Sequence, residues 1–231
     1  ELINHNIESS YSGLVKEAIL AIIETPLGKN FKNKSLIDIP ESKIVKEMKY
    51  EIPISYKGKI INTKDIAECF ALDEDYDFSN EYISKIMGLD IYSKGLHSGC
   101  IDCVLSDCSN KENSKWWVID WKSNYISEES NNICIPRNYK YENLKKEMIN
   151  HHYPLQSHLY LLALHRLLKW RLKNYKPEIH LGGFIYFFIR GLPKFNSVKE
   201  LKTQDNIPGI YISNAPINRI KYLDNLFNNG N

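Results

Sequence analysis

No run of 18 consecutive apolar residues occurs in the chain, so no segment reads as a membrane-spanning helix and no membrane partner is expected. No Gly-x-x-x-x-Gly-Lys-Ser/Thr phosphate loop occurs either, so nothing here predicts ATP binding. A dominant charge is missing too: 30 Lys and Arg against 28 Asp and Glu leave a net +2, which selects no partner by itself. Cysteine is sparse. Its five copies (Cys69, Cys100, Cys103, Cys108 and Cys134) are an odd number in a large chain, which favours reduced thiols and a cytoplasmic setting. The opening ELINHNIESS has neither a basic n-region nor an initiator Met, so a piece of a longer chain is expected and a secretory signal is not.

What is present is enough for one sizeable core, since 43% of the 231 residues are hydrophobic. There is no internal repeat and no low-complexity linker, so residues 1–231 read as a single domain. Apolar positions Leu14, Ala18 and Ile22, with Val15, Ile19 and Ile23, have helical spacing and are closed by Pro26 and Gly28. Met48, Tyr50, Ile52 and Ile54 alternate with Glu47, Lys49 and Glu51, the pattern of a half-buried strand. Residues 57–61 could begin its hairpin partner. A polar stretch at 106–115 separates two apolar runs that read as a hairpin. A long helix is expected over 153–175 after a weaker one at 140–150, then a buried strand at 180–192 and an amphipathic helix at 216–228. This order predicts an α/β fold, a mixed sheet flanked by helices.

The two runs of the hairpin are each interrupted by a carboxylate. Asp102 breaks Cys100–Leu105, and Asp120 breaks Trp116–Trp121, with Lys122 two residues on. Burying a lone charge is unfavourable, so each needs solvent or a partner. Alternation along a strand puts Trp116, Val118, Asp120 and Lys122 on one face. A hairpin in register brings Asp102 towards Asp120 on that face. Two carboxylates in a partly dry site repel, and a hard divalent cation such as Mg²⁺ is the simplest remedy. The bland alternative is a surface Asp120–Lys122 ion pair with a solvated Asp102.

GCIDCVL (99–105), WWVIDWKSN (116–124), YPLQSHLYLLALHR (153–166) and GGFIYFFIRG (182–191), followed by PGIYIS (208–213), occur in this order. Together they resemble the nuclease domain of the RecB family, within the PD-(D/E)XK superfamily. The resemblance is strong from residue 97 onward and weaker before residue 90, where KEMKYEIPI (46–54) looks like the family's first sheet strand. It implies a restriction-endonuclease-like fold. It also implies Mg²⁺-dependent hydrolysis of DNA phosphodiester bonds by an exodeoxyribonuclease, inside an ATP-driven helicase–nuclease of double-strand-break repair and recombination. The implied partners are DNA and the gamma and alpha subunits of an exodeoxyribonuclease V-like heterotrimer. Asp102 matches the family's first metal-binding aspartate, Asp120 the second, and Lys122 the catalytic lysine. The main-chain carbonyl of Trp121 would be a further metal ligand. Gln156 and Tyr160 match a Gln-x-x-x-Tyr motif whose spacing puts both on one helical face, to support the metal site or to touch the DNA backbone.

One departure carries a consequence. The family's metal-binding histidine sits in a Gly-x-x-x-His-type motif on an early helix, and His5 does not fit it. The expectation is that this ligand lies upstream of residue 1, and that residues 1–231 alone bind Mg²⁺ weakly. That leaves room for a second reading, a nuclease-like module that has lost catalysis and binds DNA or a partner subunit. Other spacings are weaker. Cys100, Cys103 and Cys108 have Cys-x₂-Cys-x₄-Cys spacing, but iron–sulfur members of the superfamily have one upstream Cys plus a cluster after the last helix, and none follows Cys134. His151, His152, His158 and His165 read as helix positions facing phosphate or solvent rather than as ligands. Arg166, Lys169, Arg171, Lys173 and Lys176 give the long helix a basic end, either a DNA-facing patch or a solvated face.

Overall fold

The structure, a computed structural model, describes residues 8–54, 60–73, 76–78, 80–107, 113–127, 134–192 and 206–229. In chain order the main elements are helix α1 (Ser12–Glu24), strands β1 (Ile44–Ile54) and β2 (Ile61–Asn62), and helices α2 (Thr63–Phe70) and α3 (Asn80–Met87). Strands β3 (Tyr92–Ser93), β4 (Gly95–Ser106) and β5 (Trp116–Lys122) follow. Next come helices α4 (Tyr141–Asn150), α5 (Tyr153–Arg171) and α6 (Pro177–His180). The chain closes with strands β6 (Leu181–Phe188) and β7 (Ile210–Asn214) and helix α7 (Ile217–Asn229). Five strands form one mixed sheet in the order β1-β4-β5-β6-β7. This is the α/β mixed sheet flanked by helices that the order of elements predicts, and it agrees with the restriction-endonuclease-like fold that the resemblance implies. Contacts group the chain into two compact units, one of Glu1–Ser42, Trp121–Leu144 and Tyr186–Tyr211, the other of Lys43–Asp120, Lys145–Ile185 and Ile212–Asn231.

The larger unit holds the hairpin and the long helix. β1 runs antiparallel to β4 from Ile44↔Leu105 to Ile54↔Gly95, with Ile52 and Ile54 buried and Glu51 exposed. The partner of β1 is therefore β4 and not the 57–61 segment. Of that segment, 57–59 lie outside the described residues, while Ile61 pairs with Ser93 in a separate two-stranded sheet. The cause is local. Asn62 accepts hydrogen bonds from the Lys64 and Asp65 amides, and Asp65 reaches back to the Asn62 amide, so the chain turns into α2 instead of extending. β4 pairs antiparallel with β5 from Ser106↔Trp116 to Cys103↔Ile119, as the two apolar runs predict.

β6 is buried at all eight positions, the mark of an interior strand covered on both faces. Its paired glycines make room for an indole: a Cβ at Gly182 would stand 2.3 Å from Trp117 Nε1, and one at Gly183 2.7 Å from the same ring. α5 buries Leu161, Leu162, Leu164 and Leu168 and ends at Arg171, four residues short of the predicted 175. Leu172 is already extended (φ −105°, ψ 119°) there. The fully buried Arg219 of α7 donates to the carbonyls of Leu72 (2.7 Å), Asp77 (3.1 Å) and Asp73 (3.2 Å) and lies over the Phe70 ring. Those carbonyls satisfy the buried guanidinium, and the charges of Asp73 and Asp77 lie close enough to favour it.

In the smaller unit, Tyr139 is wholly buried and its hydroxyl donates to the Asn124 carbonyl (2.8 Å) while accepting from the Ile126 amide (3.0 Å). Gly191 lies against that ring, where a Cβ would meet Tyr139 at 2.1 Å. α1 forms where its spacing predicts, but only Ala21 is buried; Leu14 and Ile19 remain more than half exposed.

Candidate active site

The hairpin places the two aspartates. The last β4–β5 pair is Cys103↔Ile119, and one further step of that register sets Asp102 against Asp120, where the pairing ends. Residues directly opposite on antiparallel strands share a face. Asp102 is half-buried, and Asp120 is only 4% exposed, deeper than a position on the rim of the sheet.

α5 supplies the next layer. Tyr160, itself buried, hydrogen-bonds to the Asp120 side chain. One turn earlier, Gln156 Nε2 donates to the Tyr160 hydroxyl at 3.0 Å. The result is a directed chain, Gln156 to Tyr160 to Asp120, and it uses the i, i+4 spacing read in the sequence. Burial pushes the Tyr160 phenol well above its ordinary value, and the negative charges of Asp120 and Asp102 push it further. Tyr160 therefore stays protonated and remains a donor.

Tyr50 of β1 packs against the same tyrosine, and strand alternation was its only signal in the sequence. Its ring meets Tyr160 edge-on, with centroids 6.0 Å apart. Its hydroxyl is 3.1 Å from His97 Nε2. Gly99, directly opposite Tyr50 in the ladder, lets the ring lie flat on the strand, since a Cβ there would be 2.5 Å from the hydroxyl.

Trp121 and Lys122 continue strand β5 beyond Asp120 but belong to the smaller unit. The Trp121 ring packs against Phe187 with centroids 4.7 Å apart. Lys122 Nζ sits 5.3 Å from the centroid of the Tyr186 ring. Both residues are half-buried.

The donor chemistry at Asp102 and Asp120 fits a divalent hard cation, since carboxylate oxygens are what such an ion takes. Among the described residues, no group of three or more His, Cys, Asp or Glu side chains comes together. Cys100 is exposed and Cys103 buried, three residues apart on one strand and so on opposite faces; Cys108 lies outside the described residues, as does His5.

Two of the helix histidines differ from the expectation of a solvent- or phosphate-facing position. His158 is 1% exposed, its Nδ1 is 2.6 Å from the Pro154 carbonyl, and burial pushes its pKa down to about 3, so it is a neutral core residue. His165 is buried between Tyr175 (2.9 Å) and Asp224 (3.6 Å). His151 is exposed and 3.0 Å from Glu147, and His152 is half-buried beside Tyr82. The basic end of α5 is divided in the same manner. Arg166 Nε binds Asp224 at 2.7 Å and Lys169 Nζ stands 3.6 Å from the same carboxylate, so these two join α5 to α7. Arg171 stacks on the exposed Trp170 ring, 4.3 Å from its centroid.

No family model matches the chain. Among curated proteins it is similar to RecBCD enzyme subunit RecB of Buchnera aphidicola subsp. Baizongia pistaciae, 30% identical over 230 residues, 98% of this chain and 17% of the relative. It is similar to the RecB subunit of Mycobacterium tuberculosis at 29% over 223 residues, 92% of this chain and 19% of that protein. For the Escherichia coli subunit the identity is 27% over 220 residues, 95% of this chain and 16% of that protein. The chain thus spans less than a fifth of the length of these relatives. Matched along nearly its whole length to RecB subunits, and with the sheet and paired aspartates in place, this chain belongs to the RecB family.

Proposed function

We propose that this chain is a Mg²⁺-dependent nuclease domain that hydrolyses DNA phosphodiester bonds. The observation that carries this reading is the buried Asp120, set opposite Asp102 and gripped by the Gln156–Tyr160 chain. A carboxylate so oriented in a half-dry setting is poised to hold a cation and not merely to be solvated. Asp102, Asp120 and the main-chain carbonyl of Trp121 would hold the ion, which supplies positive charge against the scissile phosphate. The chain's own residues do the rest. Tyr160 donates to Asp120 and fixes its orientation, and Gln156 keeps that hydroxyl aimed. Lys122, two residues beyond Asp120 on the strand, orients the attacking water or stabilises the charge that develops on phosphate oxygen.

The relatives are named as subunits of the RecBCD enzyme. The whole protein is accordingly read as part of an ATP-dependent helicase–nuclease in double-strand-break repair and recombination. It would act as an exodeoxyribonuclease, with gamma and alpha subunits as partners and the ATP site outside these 231 residues. A second reading, a module that binds DNA or a partner subunit without cutting, is favoured by one observation: the described residues bring together no third His, Cys, Asp or Glu side chain at the pair.

Digestion of linear double-stranded DNA by the full-length protein in Mg²⁺, with and without Asp120→Asn, separates the two. Loss of digestion in the variant with DNA binding retained supports the nuclease reading. Digestion at the normal rate by Asp120→Asn would overturn the site, and a wild-type protein that binds DNA but never cuts it supports the second reading.

A further inference from the structure

Directly beside the Gln156–Tyr160–Asp120 chain lies an open cavity of about 370 Å³, walled by Tyr50, His97, Gly99, His152, Gln156 and Tyr160 among others. It shares Gln156 and Tyr160 with the candidate active site and so adjoins it. Three features define what it can take. First, no Lys, Arg, Asp or Glu lines it among the described residues, and burial lowers the pKa of both His97 and His152, leaving the walls uncharged at neutral pH. An uncharged wall offers little to a phosphate and much to a neutral, flat group. Second, Tyr50 and Tyr160 meet at an interplanar angle of 78° and form an aromatic corner. Third, that corner is held in place. The Tyr50 hydroxyl is hydrogen-bonded to His97, and the ring lies on the bare backbone of Gly99.

Resting on the nuclease reading above, we propose that this cavity receives the nucleobase adjoining the scissile phosphate. Tyr50 is the stacking face and His97 the positioning residue that fixes its ring. Stacking on an aromatic face tolerates every base, because every base has a π-face, as suits an enzyme that digests DNA without reading its sequence. Tyr160 then does two things. Its hydroxyl orients Asp120, and its ring sets how far the base stands from the carboxylates. A base seated in the cavity would hold its own phosphate at the aspartates, so that binding and positioning are one event.

The test uses the full-length protein and oligonucleotides in which one nucleotide at a time lacks its base. In the wild type, removing the base next to the cut is expected to slow cleavage roughly 5- to 150-fold, the range for loss of one stacked base. In Tyr50→Ala the intact substrate is slowed to a similar degree and the missing base has little further effect. Tyr50→Phe, which keeps the ring, should restore most of the sensitivity. Ser98→Trp, at the exposed rim of the cavity, should block it without touching the core, and stands in if Tyr50→Ala does not fold. An abasic penalty that persists undiminished in Tyr50→Ala, or in Ser98→Trp where that variant stands in, overturns the proposal. Metal-free binding separates this outcome from failure of the nuclease reading. With 2-aminopurine scanned along a single strand, quenching at one position that Tyr50→Ala or Ser98→Trp abolishes supports the base site even if the wild type never cuts. Quenching at no position overturns it.

Discussion

Replacing Tyr160 by Phe removes one oxygen atom and keeps the ring. The edge contact with Tyr50 at 6.0 Å survives, so packing is nearly unchanged. What disappears is the donor to Asp120 and the acceptor for Gln156 Nε2 at 3.0 Å. A hydrogen bond to a charged group contributes about 1.5–3 kcal/mol. If that energy holds the Asp120 carboxylate in its working orientation, its loss lowers the cleavage rate roughly 10- to 150-fold. Gln156→Ala removes a bond between neutral groups, about 0.5–1.5 kcal/mol, and should lower the rate by only about 2- to 12-fold. Because Gln156 acts through the Tyr160 hydroxyl, the two losses should not add: the double variant should be no slower than Tyr160→Phe alone. Initial rates of linear DNA digestion by the full-length protein, measured over a series of Mg²⁺ concentrations, provide the assay. The apparent Mg²⁺ affinity should weaken in step with the rate, while DNA binding without metal stays put. Wild-type rates in Tyr160→Phe, or full additivity in the double variant, would refute the directed chain.

Lys122→Ala should lower cleavage by orders of magnitude and leave Mg²⁺ binding in place, because the ammonium acts on water or charge; calorimetry that shows metal binding lost as well would make the lysine structural. At Asp224, burial pushes the carboxyl up, but hydrogen bonds from His165 and Arg166 and their charges outweigh it and hold the group well below the usual carboxylate range. That contribution to stability is present above the unfolded value near pH 4 and fades as pH falls through the folded one. Asp224→Asn should therefore lose about 1–3 kcal/mol near neutrality, with the difference from wild type vanishing in strong acid by thermal unfolding. Gly182→Ala should destabilise by about 1–3 kcal/mol through overpacking against Trp117, and pairing it with Trp117→Phe should recover part of the loss.

The strands and helices were legible in the sequence because their signal is local. Alternation at Met48, Tyr50, Ile52 and Ile54, and the apolar runs around Asp102 and Asp120, needed no knowledge of what packs where. The candidate site residues were legible chiefly through the order of the pieces that resemble the family, since Asp-x-Lys alone is common. The partners were not. Residues 57–61 lie next to β1 in the sequence, yet β4, some forty residues on, pairs with it, because the Asn62 cap diverts the intervening chain into α2. The basic end of α5 reads as one patch on a helix, but Asp224 from α7 claims Arg166 and Lys169. His158 looks polar in the sequence, and only its enclosure beside Phe70 makes it a neutral core residue. The sequence by itself determined which segments fold, into what, and where the aspartates stand along the hairpin, because hydrophobic periodicity is written residue by residue. Only the tertiary structure decided that Tyr160 grips Asp120 and that Tyr50 and His97 wall the cavity beside it, because those contacts join strand to helix and strand to strand across about forty to a hundred and ten residues that carry no local trace of them.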